Sequence, residues 1–207
     1  MPTIDENYEH WNNEHDWSKR GEEWTPPDPM WKKQILKYSM HRYLKGGRDV
    51  LEIGPGGGRW TEEILKSAPK SLIGIDLSDR CIEMCEERFA TFPNARFFKN
   101  DGKSLKLVAD DSIDFVWSFD VFVHLEKDTI ASYAAELARV MRKDATAVIH
   151  YPSLDRATEE NENTAWRGKV TSSDMLGILT AGDFTVLHDY YEEWISNHDS
   201  SVVIFRK

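Results

Sequence analysis

The sequence predicts an α/β protein built on a doubly wound sheet of parallel strands. Short apolar runs alternate with helix-like amphipathic stretches from residue 49 onward. Such alternation implies parallel strands with helices on both faces. Crossovers between parallel strands are right-handed, which winds the sheet in both directions. The run Val50-Leu51-Glu52-Ile53 leads straight into Gly54-Pro55-Gly56-Gly57-Gly58, with a helix-like stretch from Arg59. That is a strand, a tight turn and a helix N-terminus, placed where doubly wound sheets bind ligands.

Composition narrows the class. The 207 residues suit one domain or one domain with an appendage, and 40% hydrophobic with 30% charged residues is ordinary for a globular protein. A net charge of −10 argues against a global attraction to nucleic acid or to an anionic membrane. No apolar run approaches the length of a membrane span. The first ten residues are polar and acidic, so no secretory signal is expected and cytoplasmic residence is the default. Cys81 and Cys85 lie one helical turn apart and suit neither a disulfide framework nor a zinc site. Asp120 lacks evident co-ligands, so no metal is expected.

In chain order, residues 1–45 read as an aromatic N-terminal cap and helix, and residues 46–207 as the main domain. Trp11, Trp17 and Trp24 recur with Tyr8, His10 and His15 between them, before Pro26, Pro27 and Pro29 break any helix. Disordered tails are poor in aromatics, so this segment folds back on something apolar, either as outer packing or as a lid over a site. Residues 30–45 form a helix with Trp31, Ile35, Tyr38 and Tyr43 on one side, ended by Gly46-Gly47. Strands follow at 49–53, 71–76, 95–99, 112–119 and 145–150. Helices are expected from 59 to 66, from 78 to 89 and from 126 to 141, the last with Ile130, Tyr133, Ala134, Leu137 and Val140 inward. Residues 152–170 read as an inserted loop. A last helix at 174–180, capped by Ser172 or Ser173, precedes two strands at 184–188 and 201–205.

Asp76 closes the second strand 22 residues after Gly54. An acid at about that distance accepts both ribose hydroxyls in nucleotide-binding folds of this type. The dinucleotide pattern needs a third glycine or alanine where this chain has Arg59. A pyrophosphate would be crowded there, which disfavours a nicotinamide dehydrogenase.

Residues 50–58, Asp76 within Gly74-Ile75-Asp76-Leu77-Ser78, Asn100-Asp101-Gly102, residues 112–125 and Glu136-Leu137-Ala138-Arg139-Val140-Met141 together resemble class I S-adenosylmethionine-dependent methyltransferases. The resemblance covers about residues 48–151 and, less strongly, 171–207. It implies the Rossmann-like methyltransferase fold, a seven-stranded, mostly parallel sheet with an antiparallel last strand. It also implies S-adenosyl-L-methionine as cofactor, with S-adenosyl-L-homocysteine as product. By position, Gly54 and Gly56 would bring bare backbone to the cofactor's amino acid moiety, and Glu52 would help orient its ammonium. Asp76 would hold the ribose and Leu77 would lie against the adenine. Asp101, with the backbone of Gly102, would meet the adenine amino group, and Ser118 would lie near the methionine end. The family's Pro-Gly-Gly before the fifth strand is replaced by Arg142-Lys143-Asp144-Ala145, which puts that turn's geometry in question.

Methyl transfer from a sulfonium is an in-line displacement, in which alignment dominates. A hydroxyl acceptor also benefits from a general base, whereas a carboxylate needs none. His124, just after the fourth strand, is the first candidate base; His150 is the second and His188 the third. Each is open to a purely structural role. Trp17, Trp24, Trp31 and Trp166 are candidate walls of an acceptor pocket, and Asp120 and Arg167 candidate acceptor contacts, with Arg167 suited to an anionic group; packing explains the tryptophans equally well. Ser118-Phe119-Asp120 lacks the Pro-Pro-aromatic tetrad of methyltransferases acting on nucleic acid bases, so no nucleic-acid partner is expected. The expected function is methyl transfer to a small molecule, at oxygen in preference. N-methylation of an amine or peptide, and a non-catalytic cofactor-binding protein, are the alternatives. The sequence leaves the oligomeric state open.

Overall fold

The computed structural model describes residues 3–156, 166–190 and 200–207. Seven strands form one sheet: β1 (Asp49–Ile53), β2 (Ser71–Asp76), β3 (Ala95–Lys99), β4 (Ile113–Ser118), β5 (Met141–Pro152), β6 (Thr185–Tyr190) and β7 (Ser200–Arg206). Their order is β3-β2-β1-β4-β5-β7-β6. The β1, β2, β3, β4 and β5 pairings are parallel, while β7 runs antiparallel between β5 and β6. The strand order reverses between β1 and β4, so the switch point lies at the C-terminal end of β1.

Period-2 alternation divides the apolar side chains between two cores. Leu51, Ile53, Val116, Ile149 and Phe205 face α6 (Lys127–Val140) and α7 (Ser172–Ala181). Val50, Leu72, Trp117, Val148 and Ile204 face the other side. There they meet α4 (Arg59–Lys66), α5 (Asp79–Arg88) and the N-terminal helical stretch of α2 (Pro29–Ile35) and α3 (His41–Tyr43). Trp31, Ile35 and Met40 are buried beside Trp60 and Trp117. The helix that precedes β1 therefore helps to build the core of the main sheet.

Local chemistry sets the element ends. Asp28 caps α2, its Oδ1 accepting the Met30 N–H at 2.8 Å. Between α2 and α3 the helix widens into a π-helical run over Leu36–Met40. Thr171, rather than Ser172 or Ser173, caps α7: its hydroxyl accepts the Asp174 N–H at 3.1 Å while Asp174 accepts the Thr171 N–H at 3.1 Å. The turn lacking Pro-Gly-Gly is taken by Asp144 at φ +63°, a conformation that Asp tolerates better than most side chains. Residues 157–165 of the expected insertion, and the acidic, aromatic stretch 191–199, lie outside the described residues.

The segment before α2 covers the C-terminal edge of the sheet. It starts with α1 (Ile4–Glu9), capped by a Thr3–Glu6 capping box, and continues through short turns carrying Trp11, Trp17 and Trp24. Tyr8 donates to Asp79 at 3.0 Å, and Asn12 Oδ1 accepts from Ser78 and from the Arg80 N–H, each at 3.1 Å. The segment lies directly on the Gly-rich turn. A Cβ on Gly57 would stand 2.5 Å from the Arg20 Cα, inside any van der Waals contact. Gly57→Ala is therefore expected to lift the segment off the turn while the sheet stays folded. Trypsin cleavage after Lys19 or Arg20 should speed up about tenfold with a Tm loss of a few degrees. Unchanged cleavage would show that the segment does not rest on Gly57.

Candidate active site

A cavity of about 450 Å³ lies at the switch point, beneath the N-terminal segment. That volume is within the range of small-molecule sites. Toward β2 and β3 its wall carries Asp76, Leu77, Asn100 and Gly102; toward β4 it carries Phe119, Asp120 and His124. Trp11, Trp17 and Trp24 belong to the covering side.

At the β2 end, the Asp76 carboxylate ties two loops together. Its Oδ2 accepts the Gly56 N–H at 3.0 Å and its Oδ1 the Ser78 N–H at 2.9 Å. Burial pushes this carboxyl up to about 6, against the pull of those backbone donors. A carboxylate has about four acceptor sites, so capacity remains for ligand hydroxyls. Gly54 is required where β1 ends: φ is +72°, and a Cβ would stand 2.2 Å from Val121 Cγ2. Its N–H donates to the Ile75 carbonyl at 2.7 Å, locking the turn to β2.

Three residues expected at the cofactor lie outside the cavity wall. Glu52 is 1% exposed beneath the turn; Thr61 donates to its Oε2 at 2.6 Å, and Oε1 is buried with no hydrogen-bond partner. Ser118 is buried and donates to the Ile53 carbonyl at 3.0 Å, joining β4 to β1. Asp101 turns back on its own loop: Oδ1 accepts the Lys103 and Ser104 N–H groups at 3.1 and 2.8 Å. An acid that precedes a tight turn finds those local donors first. Asn100, its neighbour, lines the cavity instead, with Nδ2 donating to Tyr133 at 2.8 Å.

At the β4 end, Asp120 sits in a left-handed conformation at φ +61°. Its carboxylate pairs with the buried Arg59 guanidinium through Oδ2 and with His150 Nδ1 at 3.0 Å through Oδ1. Burial alone would raise this carboxyl; Arg59, with His150, instead holds it well below the usual carboxylate range. His150 corrects one expectation. It is 3% exposed, its ring is stacked on Phe119 at 4.3 Å, and Nε2 meets Ser200 Oγ at 2.9 Å. It supports Asp120 from below and is not on the cavity wall.

His124 does reach the cavity. Its Nδ1 lies 2.7 Å from the Trp166 carbonyl, which only accepts, so Nδ1 carries the proton and Nε2 the lone pair. Burial pushes this imidazole down to about 4, and the nearby Arg167 pushes the same way. Trp24 and Arg167 also line the cavity, whereas the Trp166 side chain is 40% exposed and packs on His10 at 4.6 Å. His188, on β6, stacks on Tyr190. Sequence reasoning missed Arg59, Asn7 and Glu23 as cavity residues. The N-terminal ones carry no motif, so only their neighbours in space reveal them.

The cationic side chains on the wall, Arg59 and Arg167, face the β4 region, while the wall at Asp76 and Leu77 is acidic, amide and apolar. That set suits an uncharged nucleoside better than a pyrophosphate. Asp76 for vicinal hydroxyls, Leu77 for a base and the backbone at Gly54 and Gly56 fit S-adenosylmethionine. Among the described residues, no cluster of His, Cys, Asp or Glu is arranged to hold a metal ion, and no helix is long and apolar enough to cross a membrane.

Glu52 yields a prediction independent of any ligand. Burial pushes its carboxyl up to about 8, above the unfolded value. The folded state therefore holds a proton that the unfolded state has lost, and stability should fall as pH rises from about 5 toward 8. Glu52→Gln mimics the protonated acid. Its Tm should be less pH-dependent across that interval and exceed wild type by several degrees at pH 8 in thermal melts; parallel curves would refute the assignment.

Residues 50–144 match the family model for a methyltransferase domain. A ribosomal RNA small subunit methyltransferase A from Dehalococcoides mccartyi is 41% identical over 58 residues, covering 28% of this chain and 20% of that protein. A malonyl-[acyl-carrier protein] O-methyltransferase from Halalkalibacterium halodurans is 33% identical over 85 residues, covering 40% of this chain and 31% of that protein. The matched stretches thus span about a fifth of the first of these relatives and under a third of the second. In structure, a SAM-dependent methyltransferase from Methanosarcina mazei superposes with a TM-score of 0.65 at 18% identity, covering 81% of this chain and 96% of that one. Residues 50–144 thus match a methyltransferase domain, and the seven-stranded topology has the fold of S-adenosylmethionine-dependent methyltransferases, with the Gly-rich turn and Asp76 at the end of its first two strands.

Proposed function

We propose that this chain catalyses methyl transfer from S-adenosyl-L-methionine to an oxygen of a small-molecule acceptor. The observation that carries this reading is one continuous cavity under the N-terminal segment. It joins the Asp76 end to a second end walled by Trp24, Asp120, His124 and Arg167. The cofactor, when bound, supplies an electrophilic methyl group on sulfur. The chain's own residues orient the reactants and exclude water, effects worth roughly 7–11 kcal/mol when geometry is good. The N-terminal segment roofs the cavity, which favours a small acceptor over a base within folded RNA. Arg167 favours an anionic group on that acceptor. His124 is neutral above about pH 4, with Nε2 able to receive a hydroxyl proton.

A second reading, N-methylation of an amine, is favoured by Glu23. This carboxylate is on the cavity wall; Oε1 bonds His15 at 2.8 Å, and Oε2 is buried with no hydrogen-bond partner. It would pair with an ammonium group.

Transfer of labelled methyl to panels of hydroxyl, carboxyl and amine compounds separates these readings. Product from amines alone would replace the first reading by the second. Tight cofactor binding without transfer to any panel would favour a non-catalytic binding protein. His124→Gln should leave S-adenosylhomocysteine affinity unchanged and lower kcat for acidic hydroxyl acceptors by about 10²-fold, the low end of general-base catalysis, because the imidazole is a weak base. Near-wild-type turnover on hydroxyls removes His124 as base.

Asp76 gives a pH dependence. Its folded carboxyl is raised to about 6, and hydroxyl binding needs the ionised form. S-adenosylhomocysteine affinity measured by calorimetry should be level above about pH 7 and fall below 6 by up to tenfold per unit. Asp76→Asn should weaken it about ten- to hundredfold and flatten the profile. An unchanged profile in that variant would place the titrating group elsewhere.

A further inference from the structure

The N-terminal helix α1 reaches the nucleoside end of the cavity. Ile4 packs at Gly102: its Cγ2 lies 3.1 Å from where a Gly102 Cβ would stand, with Leu77 Cδ1 at 3.4 Å from the same point. One turn further along α1, Asn7 lines the same cavity. It is 6% exposed, and its Oδ1 is buried with no hydrogen-bond partner. A buried, unsatisfied amide oxygen costs about 1–3 kcal/mol, and the helix position supplies no compensating donor. The expected adenine contact, Asp101, is meanwhile occupied by the Lys103 and Ser104 N–H groups and points away from the cavity. Beside Asp76, the nucleoside end therefore has apolar surfaces at Ile4 and Leu77 and, on Asn7, an amide oxygen left without a partner.

We infer that Asn7 recognises the cofactor's adenine, its Oδ1 accepting the exocyclic amino group. An Asn side chain matches an adenine edge well, because its carbonyl and amide pair with the amino donor and an adjacent ring nitrogen. The consequence is a division of labour. Ribose binding rests on Asp76 in the sheet, and base selection rests on the covering segment, outside the stretch that matches the methyltransferase domain. The N-terminal segment then closes on the methyl donor itself and not merely on the acceptor. This inference rests on S-adenosylmethionine being the cofactor, and its test separates the two.

The test is a binding cycle by calorimetry with two ligands, S-adenosylhomocysteine and its analogue with unsubstituted purine in place of adenine. The proteins are wild type, Asn7→Ala and Asn7→Asp, each checked for folding by circular dichroism. Wild type should prefer the adenine ligand about tenfold. Asn7→Ala should bind both nearly equally, and Asn7→Asp, which keeps the acceptor, should keep the preference. Such non-additivity is the mark of direct contact. A preference that survives intact in Asn7→Ala overturns the inference. So does a wild type that does not distinguish the two ligands, a result that needs no variant to fold. If wild type binds neither ligand, the cofactor assignment falls and this inference with it.

Discussion

Bare backbone at the end of β1 is the constraint on which the rest of the molecule depends. Two other parts of the chain press on the turn at Gly54, Gly56 and Gly57. Val121 occupies the space of a Gly54 side chain, Trp17 that of Gly56 and the Arg20 backbone that of Gly57. The exit of β4 and the N-terminal segment therefore converge on the same few peptide units. Asp76 accepts the Gly56 N–H, so the carboxylate proposed for the ribose is oriented by the turn that supports the roof. Cofactor site and covering segment share a foundation.

The second fixed point is the buried charge group around Asp120. A positive φ on a residue with a side chain is tolerated when the surroundings over-determine it. Here Arg59 holds one carboxylate oxygen and His150 the other. That conformation turns the chain after β4 so that Val121 meets Gly54 and His124 reaches the cavity. Removing one partner of such a group leaves an uncompensated charge, so the network acts as a geometric lock more than as a source of stability. His150 thus serves the site through Asp120.

The sequence made the sheet legible because its strands are short, strongly apolar and separated by turn residues. Residues 49–53, 71–76 and 95–99 match β1, β2 and β3 end for end, and the other strands differ from expectation mainly at their termini, where hydrogen bonding rather than hydropathy sets the limit. At the cofactor end the sequence led to residues that do line the cavity, Gly54, Gly56 and Asp76. It was misleading where one residue has a competing local use. Asp101 has a tight turn to satisfy, and the acidic character that suggested adenine binding equally suits that turn. The acceptor end was barely legible. Trp31 and Trp24 look alike in sequence, yet Trp31 is 4% exposed in the core while Trp24 is 38% exposed at the cavity. Asn7 and Glu23 signal themselves only by an oxygen left without a partner after folding.

If the acceptor atom is oxygen, as proposed, the electrostatics of His124 constrain its kind. An imidazole held near 4 is always neutral at ordinary pH but is a weak proton acceptor. It gains little by pulling on an ordinary alcohol, whose proton becomes acidic only when the new carbon–oxygen bond is nearly complete. An acidic hydroxyl conjugated to a carbonyl or aromatic ring shifts that balance, since its proton leaves earlier. A carboxylate has no proton to give and would use Arg167 for placement instead. Both kinds of acceptor assign the catalytic burden to alignment and exclusion of water, which a roof of Trp11, Trp17 and Trp24 over a rigid sheet edge can supply. The low basicity of His124 thus follows from the enclosure that makes the cavity useful: the burial that weakens the base also keeps water from the methyl group.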